Sequence, residues 1–494
     1  MAAIAPRRAG FVVFGSRIFS IFTGLLFIVM VTHTLSTSQF GLLEIVADLV
    51  AFSTYPLIVV NFWSARETAR GQVVGKTAVL SSALLMVLGL IIFILLAVLR
   101  RSPITTTLAV FLVALSLVPA NFFYATVNSL LSVHNPEATG YILLAGELSK
   151  LALAYPLLFV FRVGLPGAIG ALAGSNLVLG VFGLYFVRGT LADTMSLAKL
   201  KSWLKDGWLP ALNQAPNLIG IADTFVAFLI TGPMLVGYYQ AAFSIALIVG
   251  YSNYLSYALY PLLLKGAGEK MIGTLFDFMM LFGVPMAVGA TVLSHQFLSL
   301  LSRNYVTAAV PLGILAFSVL AGAVDTLVDQ SLTGKESSDL AREDRFRMLL
   351  RSNIFFDAIA NLGYATTYVG SVAVIVTWGL AASIPTQTVL TYWATSQLLL
   401  TVAFALIKIR RLGFGAFRGT IRPLGAYVIS ALVMGAAVIV VSPIMLITTV
   451  APVYFGLRLA VVVGLGALIY FGALAAIDRK SRDWLRRIWG MFLP

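Results

Sequence analysis

The sequence predicts an all-α integral membrane protein of about fourteen transmembrane helices. Three observations predict it. The 494 residues are 60% hydrophobic and only 11% charged, with a mean hydropathy of +0.97, a composition that a water-soluble globule cannot hide. Apolar runs of about 20 residues recur along the whole chain, each long enough for a helix rising ~1.5 Å per residue to cross a ~30 Å hydrocarbon core. Short alternating strands of the barrel kind are absent from the sequence, so the spans read as helices.

The runs lie near 9–33, 40–62, 74–99, 104–131, 139–161, 167–188, 208–231, 235–263, 272–300, 305–330, 352–378, 384–407, 421–442 and 449–477. The first follows "PRR" and exceeds the roughly 7–15 apolar residues of a signal-peptide core, so it is expected to stay as a transmembrane helix. Its apolar stretch carries Arg17 well inside. Five domains follow: a lobe at 1–188, an amphipathic cytoplasmic linker at 189–207, a second lobe at 208–407, a basic loop with helices 13 and 14 at 408–477, and a basic tail at 478–494.

Lysine and arginine set the expected orientation. Clusters at Arg7/Arg8, Arg66/Arg70/Lys76, Arg188/Lys199/Lys201/Lys205, Lys265/Lys270, Lys335 to Arg351, Lys408 to Arg422 and the tail from Arg479 to Arg487 fall on one side if every span crosses. The other side has Arg100, Arg101, Arg162 and Arg303. By the positive-inside rule both termini are cytoplasmic, in a multi-pass protein of the plasma membrane. The net charge of +14 is then a topology signal and a match to anionic lipid head groups, requiring no nucleic-acid partner. A bundle of this size can bury its own polar groups as a monomer.

Other chemistries are excluded or closed. There are no cysteines, hence no disulfide, thiolate metal site or cysteine nucleophile, and His33, His134 and His295 fall near separate span ends without ligand spacing. No metal or organic cofactor is expected. "GQVVGKT" at 71–77 resembles a Walker A loop but has three residues between its glycines where the phosphate cradle needs four. Energy for transport is therefore expected from an ion gradient, the membrane potential or the substrate's own gradient. The linker places Leu197, Leu200, Trp203 and Leu204 at helical spacing beside Lys199, Lys201 and Lys205, as in a helix lying in the cytoplasmic interface, and the tail "SRDWLRRIWGMFLP" has the same mixture.

The chain also echoes itself. "STSQFGLLEIVADLVAFSTYPL" (36–57) and "GPMLVGYYQAAFSIALIVGYSNYLSYALYPL" (232–262) share a Phe-Gly or Val-Gly step, a long apolar span and a closing Tyr-Pro. With the linker between them, the first twelve spans divide six and six, as in transporters built from repeats.

The "FG" after the first span, Asp223 followed by "VGYYQAA" (236–242) and the 6+6+2 layout resemble the polysaccharide-biosynthesis or oligosaccharide flippases of the multidrug/oligosaccharidyl-lipid/polysaccharide (MOP) exporter superfamily. The resemblance implies two lobes in a V, alternating access and a hydrophilic cavity for a lipid pyrophosphate-linked sugar. It also implies a groove for the polyprenyl tail at the last two helices.

Charges inside spans cost roughly 2.5 to 17 kcal/mol and mark candidate sites. Arg17, nine residues beyond Arg8, lies roughly 13 Å deep. Its guanidinium suits bidentate capture of a pyrophosphate or uronate, or pairing with Glu44 or Asp48. Glu147 and Lys150 stand three apart, able to neutralise each other or to add a second cation for substrate. Glu44/Asp48 and Asp325/Asp329 are i, i+4 pairs that repel unless a proton, a sodium ion or a basic partner lies between them. Asp223 is the best single acid for gating or coupling to H+ or Na+. Asp357 is expected to snorkel to the interface, and Arg458 to bind substrate near the tail groove or lipid head groups. Pro56, Pro119, Pro156, Pro261 and Pro285 are candidate kinks.

The expected function is a flippase carrying a lipid-linked oligosaccharide from the cytoplasmic to the outer leaflet. The alternative is an ion-coupled multidrug or cation exporter, which wants an acidic, aromatic-lined cavity. A membrane enzyme would need catalytic carboxylates on a sizeable outer loop, and the outer loops are a few residues long.

Overall fold

The computed structural model describes residues 6–98, 108–253, 269–334, 352–417, 421–445 and 452–478, and among them every regular element is helical. The chain divides into two compact units, Met1–Gly237 and Tyr238–Pro494. Among the described residues, 13 helices are long and apolar enough to cross a membrane, or 14 when a bent pair counts as one span.

The first unit holds α1 (Pro6–Thr34), α2 (Thr37–Thr54), α3 (Leu57–Ala69), α4 (Gly75–Val98), α5 (Leu108–His134), α6 (Pro136–Tyr155), α7 (Leu165–Val187), α8 (Leu197–Lys205), α9 (Trp208–Gly220) and α10 (Ala222–Thr231). Lipid explains their surface pattern. On α4 the exposed face is Leu84, Val87, Leu88, Ile91 and Leu95, whereas the buried face is, apart from Phe93, made of small residues such as Ala78, Ser81, Ser82, Gly89 and Ala97. Apolar bulk outside and small residues inside is how helices pack when the solvent is as apolar as leucine.

The second span is not the continuous 40–62 helix expected. It breaks at Tyr55–Pro56, where α2 and α3 diverge by 61°, because Pro56 has no N–H to continue the ladder and crowds the preceding turn. Upstream, Ser36 and Gln39 form a capping box that fixes the start of α2. Asn135 caps α6, with Pro136 at its first helical position. Pro156 opens a π-helical turn at 156–160.

The repeated glycines have a spatial counterpart. A Cβ at Gly41 would collide with the carbonyl oxygen of Pro233 and lie 2.9 Å from the Gly237 nitrogen, and a Cβ at Gly237 would collide with the Thr37 carbonyl. The Phe-Gly and Val-Gly steps are thus where two backbones touch.

The linker is tied to the first unit. Asp193 accepts from the Lys76 and Thr77 amides at 2.7 and 3.1 Å, so the first turn of α4, where the Walker-like residues lie, already holds a carboxylate. Trp203, expected on a membrane-facing side, is 2% exposed. Its indole N–H donates to Glu67 Oε1 at 2.7 Å, and Lys199 donates to Glu67 Oε2 at 3.2 Å. Leu197 and Leu204 remain exposed. The tail beyond Asp478 lies outside the described residues, as do the basic stretch 335–351 and Pro261.

Helix α11 (Pro233–Gly250) runs into the second unit, which continues with α12 (Glu269–Val292), α13 (Ser294–Leu301), α14 (Ala309–Gly334), α15 (Asn353–Ala381), α16 (Thr386–Leu412), α17 (Ile421–Met445) and α18 (Pro452–Ile477). Here α14 packs along α16, α15 along α16 and α12 along α14, while α17 packs on α12 and α18.

Candidate functional site

In the first unit, α1 and α6 are clamped through Glu147. Its Oε1 accepts from Ser20 at 3.0 Å and its Oε2 from Thr23 at 2.6 Å and from Lys150 at 2.7 Å. Lys150 also lies over the Phe27 ring at 5.5 Å. One turn before Ser20 on α1, Arg17 is exposed. Arg17 and Glu147 both act electrostatically on the Tyr124 hydroxyl of α5. Lys150 is therefore compensated by Glu147.

A second group on α2 and α10 is acidic. Thr224 donates its hydroxyl to Asp48, and its amide donates to Asp223 Oδ1 at 2.7 Å. Glu44 and Asp223 both act electrostatically on Asp48. Asp223 is 6% exposed, while Glu44 and Asp48 are half-buried.

The second unit is organised by a lysine. Lys408 on α16 has no exposed surface. Its ammonium donates at 2.7 Å to each of Asp325 Oδ2, Asp329 Oδ1 and Asn361 Oδ1. Asp357 Oδ1 lies 3.9 Å away. Asn361 Nδ2 reaches back to Asp329 Oδ2 at 3.4 Å. Asp357 does not snorkel: it is buried at 8% exposure, because the charge it can offset lies inward.

A polar ladder continues from this cluster. Tyr364 OH and Thr401 Oγ1 are 3.0 Å apart, Tyr239 OH donates to Gln397 Oε1 at 2.8 Å and lies 3.0 Å from Tyr368 OH, and Trp393 Nε1 donates to Tyr368 OH at 3.0 Å. The Tyr239 and Trp393 rings stack at 4.0 Å.

An apolar cavity of about 260 Å³ lies among α11, α12, α13, α17 and α18, lined by Ile248, Pro285, Gly289, Met434, Gly466 and Tyr470 among others. Arg458 is not part of it. It shares the outward face of α18 with Leu457 and Val461.

No family model and no curated protein matches the chain. Solved structures do. A structure of the lipid II flippase MurJ in an inward closed conformation matches with a TM-score of 0.68 at 11% identity, covering 94% of this chain and 98% of that one. An inward-facing multidrug resistance MATE family transporter of the MOP superfamily matches at 0.56 and 13%, covering 81% and 96%. A MATE in complex with MaL6 matches at 0.53 and 16%, covering 82% and 95%. The chain has the fold of the MOP superfamily.

On this MOP fold the predicted residues fall into three groups and one outlier. Arg17 gathers with Glu147 and Lys150, Asp223 with Glu44 and Asp48, Asp325 with Asp329, and Arg458 faces outward. Lys408, Asn361, Tyr239, Tyr368, Trp393 and Gln397 were missed. A signal existed for Lys408: an i, i+4 acid pair demands a cation, and Lys408 stands on the face of α16 shared with Thr401, ahead of Arg410 and Arg411.

Proposed function

We propose that this MOP-fold transporter is a flippase for a lipid-linked pyrophosphate oligosaccharide, carrying the head group from the cytoplasmic to the outer leaflet by alternating access, with both termini cytoplasmic. One observation carries the reading: the apolar cavity beside the two extra C-terminal helices, a place for part of a polyprenyl tail. Moving a polar head group through bare hydrocarbon costs far more than moving it past fixed charges while the tail stays in lipid. Arg17, exposed and held beside Glu147 and Tyr124, is the proposed head-group ligand, and its planar fork matches a pyrophosphate bidentately. The fit of 94% of the chain to the MurJ structure, against 81% to a MATE transporter, supports the fourteen-span branch.

The acidic group Glu44, Asp48 and Asp223 favours a second reading, an exporter of organic cations coupled to H+ or Na+. Reconstituted protein tested with a fluorescent lipid pyrophosphate-linked sugar and with ethidium separates the two. Flipping of the lipid without ethidium transport is expected, and the reverse result overturns the flippase reading. Arg17→Ala is expected to lose about 1.5–3 kcal/mol of charge-assisted binding, roughly ten- to hundredfold in initial rate, with insertion normal. Full activity in that variant removes Arg17 from the head-group site.

A further inference from the structure

We propose that the second unit carries a proton site between Asp329 and Asp357, entered along the polar face shared by α15 and α16, in which Lys408 stands as a resident cation in place of a metal ion. The groups facing it are Asp325 and Asp329 from α14, Asp357 from α15 and Lys408 from α16. Arg411, farther along α16, is engaged by Asn353 Oδ1 at 3.3 Å and by the Phe356 ring.

The ammonium has three protons, and Asp325, Asp329 and Asn361 take all three. None is left for Asp357, whose Oδ1 is buried with no hydrogen-bond partner, as is Oδ1 of Asp325. Three ionised carboxylates against one ammonium would leave two uncompensated negative charges among side chains only 11–26% exposed, a state that partial burial penalises. The carboxyl groups of Asp329 and Asp357 also converge on one atom, their Oδ1 oxygens lying 2.7 and 3.9 Å from the Lys408 nitrogen. Two carboxylates cannot hydrogen-bond without a proton between them, because an ionised carboxylate only accepts. A bound proton turns one into a donor, removes one charge and lets the pair approach. Binding is simple protonation: a carboxylate takes up H+ from water and becomes a carboxylic acid.

A sodium ion fits less well. The space between Asp325 and Asp329 is filled by the Lys408 nitrogen. Among the described residues no group of three or more acids or histidines is arranged to hold a metal.

The route follows from helical register. Asp357, Asn361, Tyr364 and Tyr368 recur at i, i+4, i+7 and i+11 on α15, and Trp393, Gln397, Thr401 and Lys408 share one face of α16. The α15 residues span roughly 16 Å at ~1.5 Å per residue, about half the hydrocarbon core. Their hydrogen-bonded rungs are Tyr239/Gln397/Tyr368, then Tyr364/Thr401, then Asn361/Asp329. Rungs one turn apart, about 5.4 Å, are within reach of a bridging water.

The use of this site in transport rests on the transporter reading above, whereas proton binding itself does not. The test uses the full-length protein in liposomes, in sodium-free choline buffer, with infrared difference spectra recorded between mildly alkaline and mildly acidic pH. A buried carboxylic C=O band is expected that downshifts in D2O, survives added NaCl, disappears in Asp357→Asn and returns shifted in Asp357→Glu. Tyr364→Phe is expected to slow its appearance without changing its final amplitude. A wild-type spectrum without the band, or its loss on adding NaCl, overturns the proposal. So does persistence of an unaltered band in both Asp357→Asn and Asp329→Asn. The same liposomes carry the fluorescent lipid-linked sugar under an imposed pH gradient. A band without lipid flipping defeats the flippase reading alone, and flipping without a band defeats the proton site alone.

Discussion

Lys408 shows how a single side chain acquires its role from what is left unsatisfied around it. With no exposed surface and three acceptors at 2.7 Å, it has exchanged water for two carboxylates and an amide oxygen. Such an arrangement gives little net stability, yet its disruption is costly because the abandoned acids, a fifth to a quarter exposed, stay largely out of water. Lys408→Met is therefore expected to lower unfolding free energy by about 3–5 kcal/mol, seen as a fall in thermal midpoint of the purified protein. Adding Asp325→Asn to it should recover much of the loss, since one orphaned charge goes with it. An additive double variant would mean that Lys408 and Asp325 are not energetically coupled. The wild-type midpoint should be indifferent to sodium, while Lys408→Met should gain stability on adding NaCl as the ion takes the vacated position. In the sequence Lys408 reads as one of a run of basic residues at a span end, and only its register with Thr401 and Trp393 separates it from Arg410 and Arg411. Glu147 and Lys150 were legible as a pair because three-residue spacing on a helix puts them together regardless of tertiary structure. The ties of Glu147 to Ser20 and Thr23 were not, since they depend on how α1 lies against α6.

At the scale of elements, close approach and docking decide what helices tolerate. Gly41 sits where a Cβ would meet the Pro233 carbonyl, whereas Gly24 has nothing within 4 Å of its would-be Cβ. Gly41→Ala is expected to cost about 1–3 kcal/mol through forced separation of the backbones, while Gly24→Ala should be neutral or gain up to about 1 kcal/mol from helix propensity. Thermal unfolding of the two variants side by side checks this, and equal midpoints would mean that the contact gives way freely. In the linker, Trp203→Phe removes the donor from Glu67 Oε1 while keeping most of the ring. The loss should be about 1–3 kcal/mol, larger than for Lys199→Ala, whose partly exposed ion pair is worth at most ~1 kcal/mol. The positions of the spans were legible because each is set by its own composition. Pro56 was legible as a candidate kink, but the 61° size of its bend was not, because a proline in a span does not disclose how far neighbouring helices straighten it. Nor was the docking of α8, because Trp203 reads equally well as a residue facing lipid or protein.

For the whole molecule, the decisive feature is the pair of helices beyond the first twelve spans. α17 packs on α12 and α18, and together with α11 and α13 these helices enclose an apolar cavity of about 260 Å³. A substrate anchored by a long isoprenoid chain must place that chain somewhere while its head group moves. Gly289 offers a way to fill the cavity without disturbing its walls, since a Cβ there meets only the Met434 methyl at 3.8 Å, ordinary van der Waals contact. The larger side chain of Gly289→Leu then occupies volume that a tail would use. If the cavity holds part of the tail, this variant should flip a long-chain polyprenyl pyrophosphate-linked sugar several-fold more slowly while handling a short-chain analogue at the wild-type rate. Initial rates in liposomes for the two substrates measure this directly. The comparison is internal to each preparation, so differences in folding or insertion cancel, and an equal loss on both chains would detach the cavity from tail binding.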